Sequence, residues 1–171
     1  MSRSTAEPNT AETSTSVPTG LPTRLPAEEM PFDEQIVCGS YAVSEQEIIE
    51  FGTLWDPQYF HVDPEAAAHS TFGGVIASGL HTTSIFQRLA VQAIYTRYDV
   101  IAGREIRSLR FLRPVRGGDV LTASVLLHSV EPARRGRCLV TIFGTLRNQE
   151  GAPVLDLEVD SLVRSRAPSD G

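Results

Sequence analysis

The sequence contains only two cysteines, Cys38 and Cys138, in 171 residues. Each stands in an apolar, strand-like stretch, and neither has a second thiol at the spacing of a metal site. This scarcity disfavours a disulfide framework and a cysteine nucleophile. We expect both thiols to be small, buried side chains in a reducing cytoplasm.

The chain also lacks a long apolar run and an excess of basic residues. No stretch approaches the roughly 20 apolar residues of a membrane span, and the N-terminal region has no apolar segment typical of a secretory signal. Fifteen basic residues stand against 21 acidic ones, giving a formal net charge of −6, and the basic residues are scattered. Such a balance argues against a nucleic-acid surface. We therefore predict a cytoplasmic protein with no membrane or nucleic-acid partner.

The length and the hydrophobic fraction of 41% are ordinary for one globular domain. Residues 1–31 are rich in Ser, Thr, Pro, Ala and Glu and contain almost no large apolar side chains. Such a segment cannot bury enough surface to offset the entropy lost on ordering. The sequence thus predicts a disordered N-terminal tail over residues 1–31 and one folded domain over residues 32–167.

A strand is predicted over residues 35–43, with a helix directly after it. Ser44 and Glu47 have the spacing of a capping box, in which the serine hydroxyl accepts from the Glu47 amide and the Glu47 carboxylate reaches back. The apolar positions that follow end near Pro57. Asp56 is therefore expected on the loop just after this helix.

Further helices and a run of strands complete the predicted fold. Asp63 stands before Pro64, as an N-cap stands before proline at the first helical position, so we assign Asp63 to capping rather than to catalysis. A long, largely buried helix is predicted over residues 79–98. The last third alternates apolar and polar residues between turn-like breaks, which predicts four strands in an antiparallel meander. This order gives an α+β fold class in which a curved antiparallel sheet wraps around the long helix.

Three residues suited to acid–base chemistry lie near one another in the sequence. Asp56 and His61 are five positions apart, and Gly79 begins the predicted long helix. A carboxylate and an imidazole can hold a water between them, while a backbone N–H at a helix start can receive negative charge on a carbonyl oxygen. The set is suited to adding water to an activated double bond.

The residues around this set resemble those of the MaoC-like family of (R)-specific enoyl-CoA hydratases and dehydratases. The pattern Asp-x-x-x-x-His-x-Asp-Pro begins at Asp56, Phe-Gly-x-x-x-Ala-x-Gly ends at Gly79, and residues 108–121 resemble the strand and turn after the long helix. The resemblance implies a single hotdog fold that forms a homodimer or a larger assembly. It also implies an acyl-CoA or acyl-carrier thioester entering between the helical segment and the sheet. CoA would be part of the substrate, with no separate metal or redox cofactor.

The same resemblance implies roles for individual residues. The family's catalytic aspartate and histidine fall on Asp56 and His61. The family's glycine that polarises the thioester carbonyl through its backbone N–H, forming the oxyanion hole, falls on Gly79.

The chain departs from the family pattern at four positions. One is Gln87, which falls where some members carry a substrate-contacting serine. Gln58 stands at an asparagine position, Tyr59 at a proline position and Ser78 at the position of a histidine. Gln58 keeps an amide, whereas Tyr59 removes a rigid backbone constraint and adds bulk. We predict that Gln58, Tyr59 and Ser78 contact the substrate and alter its acyl specificity.

Structural explanations compete with these roles. Asp56 could cap the turn that follows it, His61 could pack beneath the aromatic pair Tyr59 and Phe60, and Gly79 could serve close packing at a helix start. Trp55 and the same aromatic pair could line an acyl pocket or belong to the core.

Two other groups of polar residues also leave alternatives open. His69 and His81 could join His61 and Asp63 in a zinc site, but their poor spacing favours solvent-facing or capping histidines. Three arginines could meet CoA phosphates or cover a solvated strand edge: Arg110, Arg113 and Arg116.

The function expected from these patterns is that of a hydro-lyase acting on 2-enoyl or 3-hydroxyacyl thioesters in fatty-acid or related acyl-CoA metabolism. A hotdog protein that binds acyl thioesters without activating water is the alternative from a different class. A hotdog thioesterase is the third possibility.

Overall fold

A five-stranded antiparallel sheet curves around one central helix in residues 24–166, the part of the chain described by the computed structural model. The elements in chain order are a 3-10 turn (Ala27–Glu29), β1 (Gln35–Ala42), α1 (Glu45–Trp55), α2 (Tyr59–Val62), α3 (Pro64–Ala68), α4 (Gly79–Ala90), a π-helix (Val91–Tyr95), β2 (Val100–Phe111), β3 (Val120–Ala133), β4 (Arg137–Arg147) and β5 (Pro153–Arg164). The predicted α+β class, with a sheet wrapped around a helix, is confirmed.

The capping residues predicted before α1 and before α3 form the expected hydrogen bonds. The Ser44 Oγ accepts from the Glu47 N–H at 3.2 Å, and the Ser44 N–H donates to Glu47 Oε2 at 3.3 Å, so the capping box before α1 is complete. Asp63 Oδ1 accepts from the backbone N–H groups of Glu65 and Ala66, both at 3.0 Å, and Pro64 opens α3. Asp63 is therefore a capping residue, as predicted.

The central helix is shorter than the predicted span of residues 79–98. It is α-helical over Gly79–Ala90 and continues as a π-helix over Val91–Tyr95, in which the Thr96 N–H reaches the Val91 carbonyl. A pattern of apolar residues four apart fits both kinds of turn, so it does not distinguish them. The helix lies close against the sheet: a Cβ on Gly144 of β4 would come within 2.2 Å of the Phe86 ring.

The strand order differs from the predicted meander. β3, β4 and β5 are consecutive antiparallel neighbours, but β2 pairs with β5 and β1 pairs with β3, which gives the order β1-β3-β4-β5-β2. The turn before β3 explains this arrangement. The Val43 N–H donates to the Asp119 carbonyl and the Gly118 N–H donates to the Val43 carbonyl, so the turn is bound to the end of β1. The loop after β2 thus carries the chain across the sheet.

Residues 24–31 belong to the fold and not to a separate tail. The Leu25 N–H donates to the Arg97 carbonyl, and Ala27 and Met30 are 0% and 3% exposed. The predicted boundary at residue 31 is therefore corrected for these eight residues, because a few small or flexible apolar side chains are sufficient to anchor so short a segment. Residues 1–23 and 167–171 lie outside the described part of the chain, so the rest of the predicted tail and the last residue of the predicted domain lie there.

Both cysteines are buried free thiols, as predicted. Burial raises the pKa of Cys38 and of Cys138, which keeps both in the unreactive protonated form. No helix within residues 24–166 is both long and apolar enough to cross a membrane.

Candidate active site

Asp56 is positioned by the end of α1. It is the C-cap of that helix, its N–H donates to the Gly52 carbonyl at 2.9 Å, and its backbone has left the helical conformation. Pro57 follows and cannot continue the helix. The carboxylate therefore projects from a fixed helix end, on the loop where the sequence predicted it.

His61 is held by close packing on one side and by a hydrogen bond on the other. It lies in the single turn of α2, is 4% exposed, and packs against α1 at Gly52, where an added Cβ would lie 3.0 Å from the His61 Cβ. Its Nδ1 lies 2.7 Å from the Ile76 carbonyl oxygen. Because a carbonyl can only accept, Nδ1 carries the proton, and Nε2 of the neutral ring has a free lone pair.

That Nε2 faces the Asp56 carboxylate, with 3.4 Å between His61 Nε2 and Asp56 Oδ2. The Ser78 hydroxyl donates to the same Oδ2 at 2.7 Å, and the Gln58 amide donates to Oδ1 at 2.9 Å. The Ser78 bond, then the Gln58 bond and a smaller contribution from His61 lower the pKa of Asp56, against the opposing effect of partial burial. Asp56 is therefore held as a carboxylate beside the imidazole.

Gly79 is the first residue of α4, immediately after Ser78. The Ser78 Oγ accepts from the Leu80 N–H at 3.2 Å and so caps the helix. A first-turn N–H has no acceptor within its own helix, and the Gly79 N–H makes no other backbone hydrogen bond among residues 24–166. This N–H is free to receive a carbonyl oxygen.

A mainly apolar cavity of about 290 Å³ joins the histidine to this helix end. His61 and Gly79 both line it, so the histidine and the start of α4 border one space. The Phe111 ring, at the end of β2, packs directly against Gly79, where an added Cβ would come within 2.5 Å of the ring. Other residues lining the cavity are Thr82, Leu112, Arg113 and Val115.

The structure brings together four predicted residues: Asp56, His61, Ser78 and Gly79. The predicted substrate contacts are placed differently from that expectation. Ser78 is 1% exposed, and its hydroxyl binds Asp56 and the Leu80 N–H. Gln58 contacts Asp56, and Tyr59 is 52% exposed with its ring against Phe60. Like Asp56 itself, none of the three is among the residues that line the cavity. Ser78 and Gln58 bond the Asp56 carboxylate, and their contact with a substrate stays a prediction.

Two residues that line the cavity, Thr82 and Phe111, were not predicted from the sequence. Thr82 follows Gly79 by three positions, so helical spacing could have placed both on one side of α4. Phe111 lies 32 positions further along the chain, and no local pattern predicts its contact with Gly79. Trp55 and Phe60 do not line the cavity; Trp55 is 70% exposed, and Phe60 packs edge-on against His61.

The alternative zinc site is not assembled. Asp63 caps the start of α3, and exposed His69 is the C-cap of that helix, with its Nδ1 2.9 Å from the Glu65 carbonyl oxygen. His81 is only 7% exposed, so the expectation of a solvent-facing or capping side chain is wrong for it: its ring stacks on Phe51. Among residues 24–166 no three His, Cys, Asp or Glu side chains lie close enough to hold a metal ion.

Comparison with known proteins places the fold and the site in context. The MaoC like domain family matches residues 27–144. Uncharacterized protein YdeM of Bacillus subtilis is 34% identical over 125 residues, covering 73% of this chain and 89% of that protein. 3-Hydroxyacyl-thioester dehydratase Z of Mycobacterium tuberculosis is 33% identical over 110 residues, covering 64% of this chain and 72% of that protein.

A solved structure extends the likeness to three dimensions. The MaoC-like dehydratase from Rhodospirillum rubrum is 31% identical and superposes with a TM-score of 0.75, covering 84% of this chain and 99% of that one. A sheet around a central helix, with these relatives, defines a hotdog protein of the hydratase and dehydratase kind. The chain belongs to the MaoC-like domain family, and the predicted family and hotdog fold class are confirmed.

Proposed function

We propose that this protein is a hydro-lyase that adds water to a 2-enoyl thioester and, in reverse, removes it from a 3-hydroxyacyl thioester. The observation that carries the proposal is that His61, paired with Asp56, and Gly79, at the start of α4, line one apolar cavity. Membership of the MaoC-like family and the likeness to a protein named as a 3-hydroxyacyl-thioester dehydratase support the same reaction class.

In this proposal His61 is the general base. Its Nδ1–H is committed to the Ile76 carbonyl, which leaves the Nε2 lone pair to accept a proton from water. Asp56 is the weaker base, because Ser78 and Gln58 stabilise its charged form. The carboxylate therefore orients the water and stabilises the imidazolium that forms beside it.

The proposed hydration conserves all atoms and electrons. The water oxygen bonds to C3 as its proton moves to His61 Nε2, and the electrons of the C2–C3 double bond move onto the thioester oxygen. That oxygen accepts a hydrogen bond from the Gly79 N–H. The carbonyl then re-forms as the proton on Nε2 passes to C2. A single donor of this kind contributes about 3 kcal/mol to transition-state stabilisation.

The proposal includes the chemical setting of the reaction. Proton transfer and charge stabilisation need no metal or redox group, so CoA or an acyl-carrier arm would enter only as part of the substrate. A cytoplasmic role in fatty-acid or related acyl-thioester metabolism follows from that substrate class.

A homodimer or larger assembly is also part of the proposal. β2 is an edge strand of the described sheet, and it carries apolar side chains that are 38% to 54% exposed at Ile101, Ile106 and Phe111. Such an edge favours pairing with another chain. Light scattering after size-exclusion chromatography should give at least twice the 18.6 kDa chain mass; a monomer at micromolar concentration would contradict this part.

Hydration of crotonyl-CoA, followed as loss of the enoyl absorbance, tests the reaction. Asp56→Asn and His61→Gln should each lower kcat/KM by roughly 100- to 10,000-fold, the range for a lost acid–base group. Asp63→Asn is the matched control, because it makes the same change seven residues away and keeps an N-cap. Its kcat/KM should remain close to that of the wild type.

The same assays distinguish the alternative functions. A binding protein without catalysis would give wild-type and variant rates equal to background for every chain length, with retained affinity for acyl-CoA. Release of free thiol from saturated acyl-CoA, abolished by the same variants, would favour a thioesterase. Either result would overturn the hydro-lyase proposal.

A further inference from the structure

The basic residues of this chain are less scattered than they were described above, because several lie in one segment. The chain contains no lysine, so all 15 basic side chains are arginines. Five of them recur at every third position: Arg104, Arg107, Arg110, Arg113 and Arg116. The first three lie in β2, and the last two lie in the loop after it, which forms one wall of the cavity.

Two of the β2 arginines are neutralised by carboxylates on β5. Arg107 pairs with buried Asp160, with 2.7 Å between Nη2 and Oδ2. Arg110 pairs with Asp156 at 3.2 Å. These two guanidinium groups hold neighbouring strands together, so they have no charge to spare for a ligand.

The two loop arginines have a different kind of partner. The Arg113 guanidinium donates to the Pro153 carbonyl, and the Arg116 guanidinium donates to the carbonyl of Phe72, itself a lining residue. Neither forms an ion pair with a carboxylate among residues 24–166. A backbone carbonyl fixes the position of a guanidinium without cancelling its charge. Each group therefore keeps unused N–H donors, those of Arg113 at the cavity and those of Arg116 beside its lining residue Phe72.

We propose that Arg113 and Arg116 bind the phosphate at the end of the pantetheine arm that carries the acyl thioester. This inference rests on the hydro-lyase proposal, which places the thioester beside Gly79 in the cavity that Arg113 also lines. Planar guanidinium groups bind phosphate through paired N–H donors. Two uncompensated positive charges beside this opening are notable in a chain of net charge −6 and would select a phosphorylated carrier.

Gly74 lies next to the Arg116 guanidinium. A Cβ on Gly74 would lie 3.4 Å from Arg116 Nη1, and the Gly74 φ of +153° is rare for other residues. CoA and acyl carrier protein both attach pantetheine through a phosphate, so this site would serve either carrier.

Paired substrates with and without phosphate test the inference. Arg113→Gln and Arg116→Gln should each raise the KM for crotonyl-CoA about tenfold, the loss expected for one hydrogen bond to a charged group. The KM for the crotonyl thioester of N-acetylcysteamine, which has no phosphate, should rise much less than the KM for crotonyl-CoA in both variants. Arg134→Gln, in the exposed turn between β3 and β4, removes the same charge elsewhere and should leave both KM values unchanged.

Equal rises in KM for the two substrates would overturn the inference, because the arginines would then shape the cavity and not bind phosphate. So would an unchanged KM for crotonyl-CoA. Arg113→Lys should raise that KM less than Arg113→Gln, because it keeps the charge and loses the fork.

Calorimetric binding separates this inference from the reaction itself and identifies the phosphate. Phosphopantetheine should bind the wild type about tenfold more tightly than either Gln variant, and pantetheine should not distinguish them. This result would support the site even if the wild type hydrated neither thioester, and equal affinities would overturn it. Either Gln substitution should weaken the binding of CoA and of dephospho-CoA equally. If it weakened the binding of CoA alone, the site would bind the 3′-phosphate, and the assignment to the pantetheine phosphate would be overturned. A comparison of the turnover of crotonyl-CoA with that of crotonyl-acyl carrier protein then identifies the carrier.

Discussion

At the scale of single residues, the carboxylate of Asp56 is the most tightly specified group of the site. Each of its oxygens accepts a hydrogen bond, one from Ser78 and one from Gln58, and His61 lies beside it. These partners make it a poor proton acceptor and a good electrostatic partner for an imidazolium. Ser78 also caps α4, so one hydroxyl fixes the carboxylate relative to the Gly79 N–H.

Removing the Ser78 hydroxyl should raise the pKa of Asp56 towards its ordinary value. The hydroxyl bond is the largest cause of the lowered pKa and Gln58 the second, so Ser78→Ala should move it further than Gln58→Ala. Titration of the ¹³C-labelled Asp56 carboxyl carbon by NMR measures both. A carboxyl group whose pKa is lower in the folded than in the unfolded protein stabilises the fold at pH values above the unfolded-state pKa. This stabilisation is lost as the pH falls through the folded-state pKa. The stability difference between wild type and Ser78→Ala should therefore narrow in acid; a constant difference would contradict this account.

Gly79 and Phe111 should be energetically coupled. A methyl group at residue 79 would collide with the Phe111 ring, so Gly79→Ala should lower the unfolding free energy of the wild type. The same substitution should lower it less in a Phe111→Ala protein, where the ring is absent. Urea denaturation of the four proteins should give a coupling energy of about 1–3 kcal/mol. Additivity within about 0.5 kcal/mol would show that the ring is not confined there.

Sequence reasoning located the residues of the site whose signals are local. The spacing from Asp56 to His61, the glycine at a helix start and the capping residues are each contained in a few neighbouring positions. The partners of those residues were not accessible in the same way. The Ile76 carbonyl, the Phe111 ring and the bond from Ser78 to Asp56 depend on how separate segments meet, which no periodicity encodes.

At the scale of elements, the contact between α1 and α4 sets the distance from Asp56 to Gly79. His81, in the first turn of α4, stacks on Phe51 of α1 with ring centroids 4.7 Å apart, and its Nε2 lies 3.3 Å from Glu47 Oε1. Its Nδ1 is buried and has no hydrogen-bond partner within the described part of the chain. Burial lowers the pKa of His81, outweighing the opposing effect of Glu47.

Protonation of His81 should therefore weaken the fold in mild acid. Below the ordinary histidine pKa of 6.5, the unfolded chain gains a proton that the buried ring resists, so stability falls as pH falls. Between pH 7.5 and 5.5 the wild type should lose up to about 1 kcal/mol more unfolding free energy than His81→Phe, which keeps the stacking. Urea titrations at both pH values measure this.

The matched control for that measurement is His69→Gln, at the exposed C-cap of α3. It should show the same pH dependence as the wild type. A His81→Phe protein that lost as much stability in acid as the wild type would show that another group carries the effect.

The order of elements was predictable along the chain but not across the sheet. Alternating residues identified the strands, and four turn residues identified the break before β3. Whether that break makes a hairpin or a crossover depends on its hydrogen bonds to Val43, 75 residues before Gly118. The position of β2 at the far edge, which sets the wall of the cavity, follows from those bonds.

At the scale of the whole molecule, the segment before β1 joins two distant parts of the chain. The Leu25 N–H and carbonyl bond residues that precede β2, and the Tyr98 hydroxyl donates to the Glu29 carbonyl at 3.3 Å. Glu28 accepts from the Ser165 hydroxyl just after β5, and that bond is the main cause of its lowered pKa. The segment therefore closes one end of the sheet although its composition resembles that of a tail.

Met30 provides the test of whether this segment contributes to folding stability. Its side chain is 3% exposed against the core, so Met30→Ala should lower the unfolding free energy by about 2–5 kcal/mol, through lost transfer energy and a residual cavity. Leu54→Ala makes a similar truncation at a position 75% exposed and should change it by less than about 0.5 kcal/mol. Urea denaturation of the full chain measures both. If Met30→Ala behaved like Leu54→Ala, residues 24–31 would pack against the domain without contributing to its folding stability. A large loss for Met30→Ala alone would place these residues inside the cooperative unit.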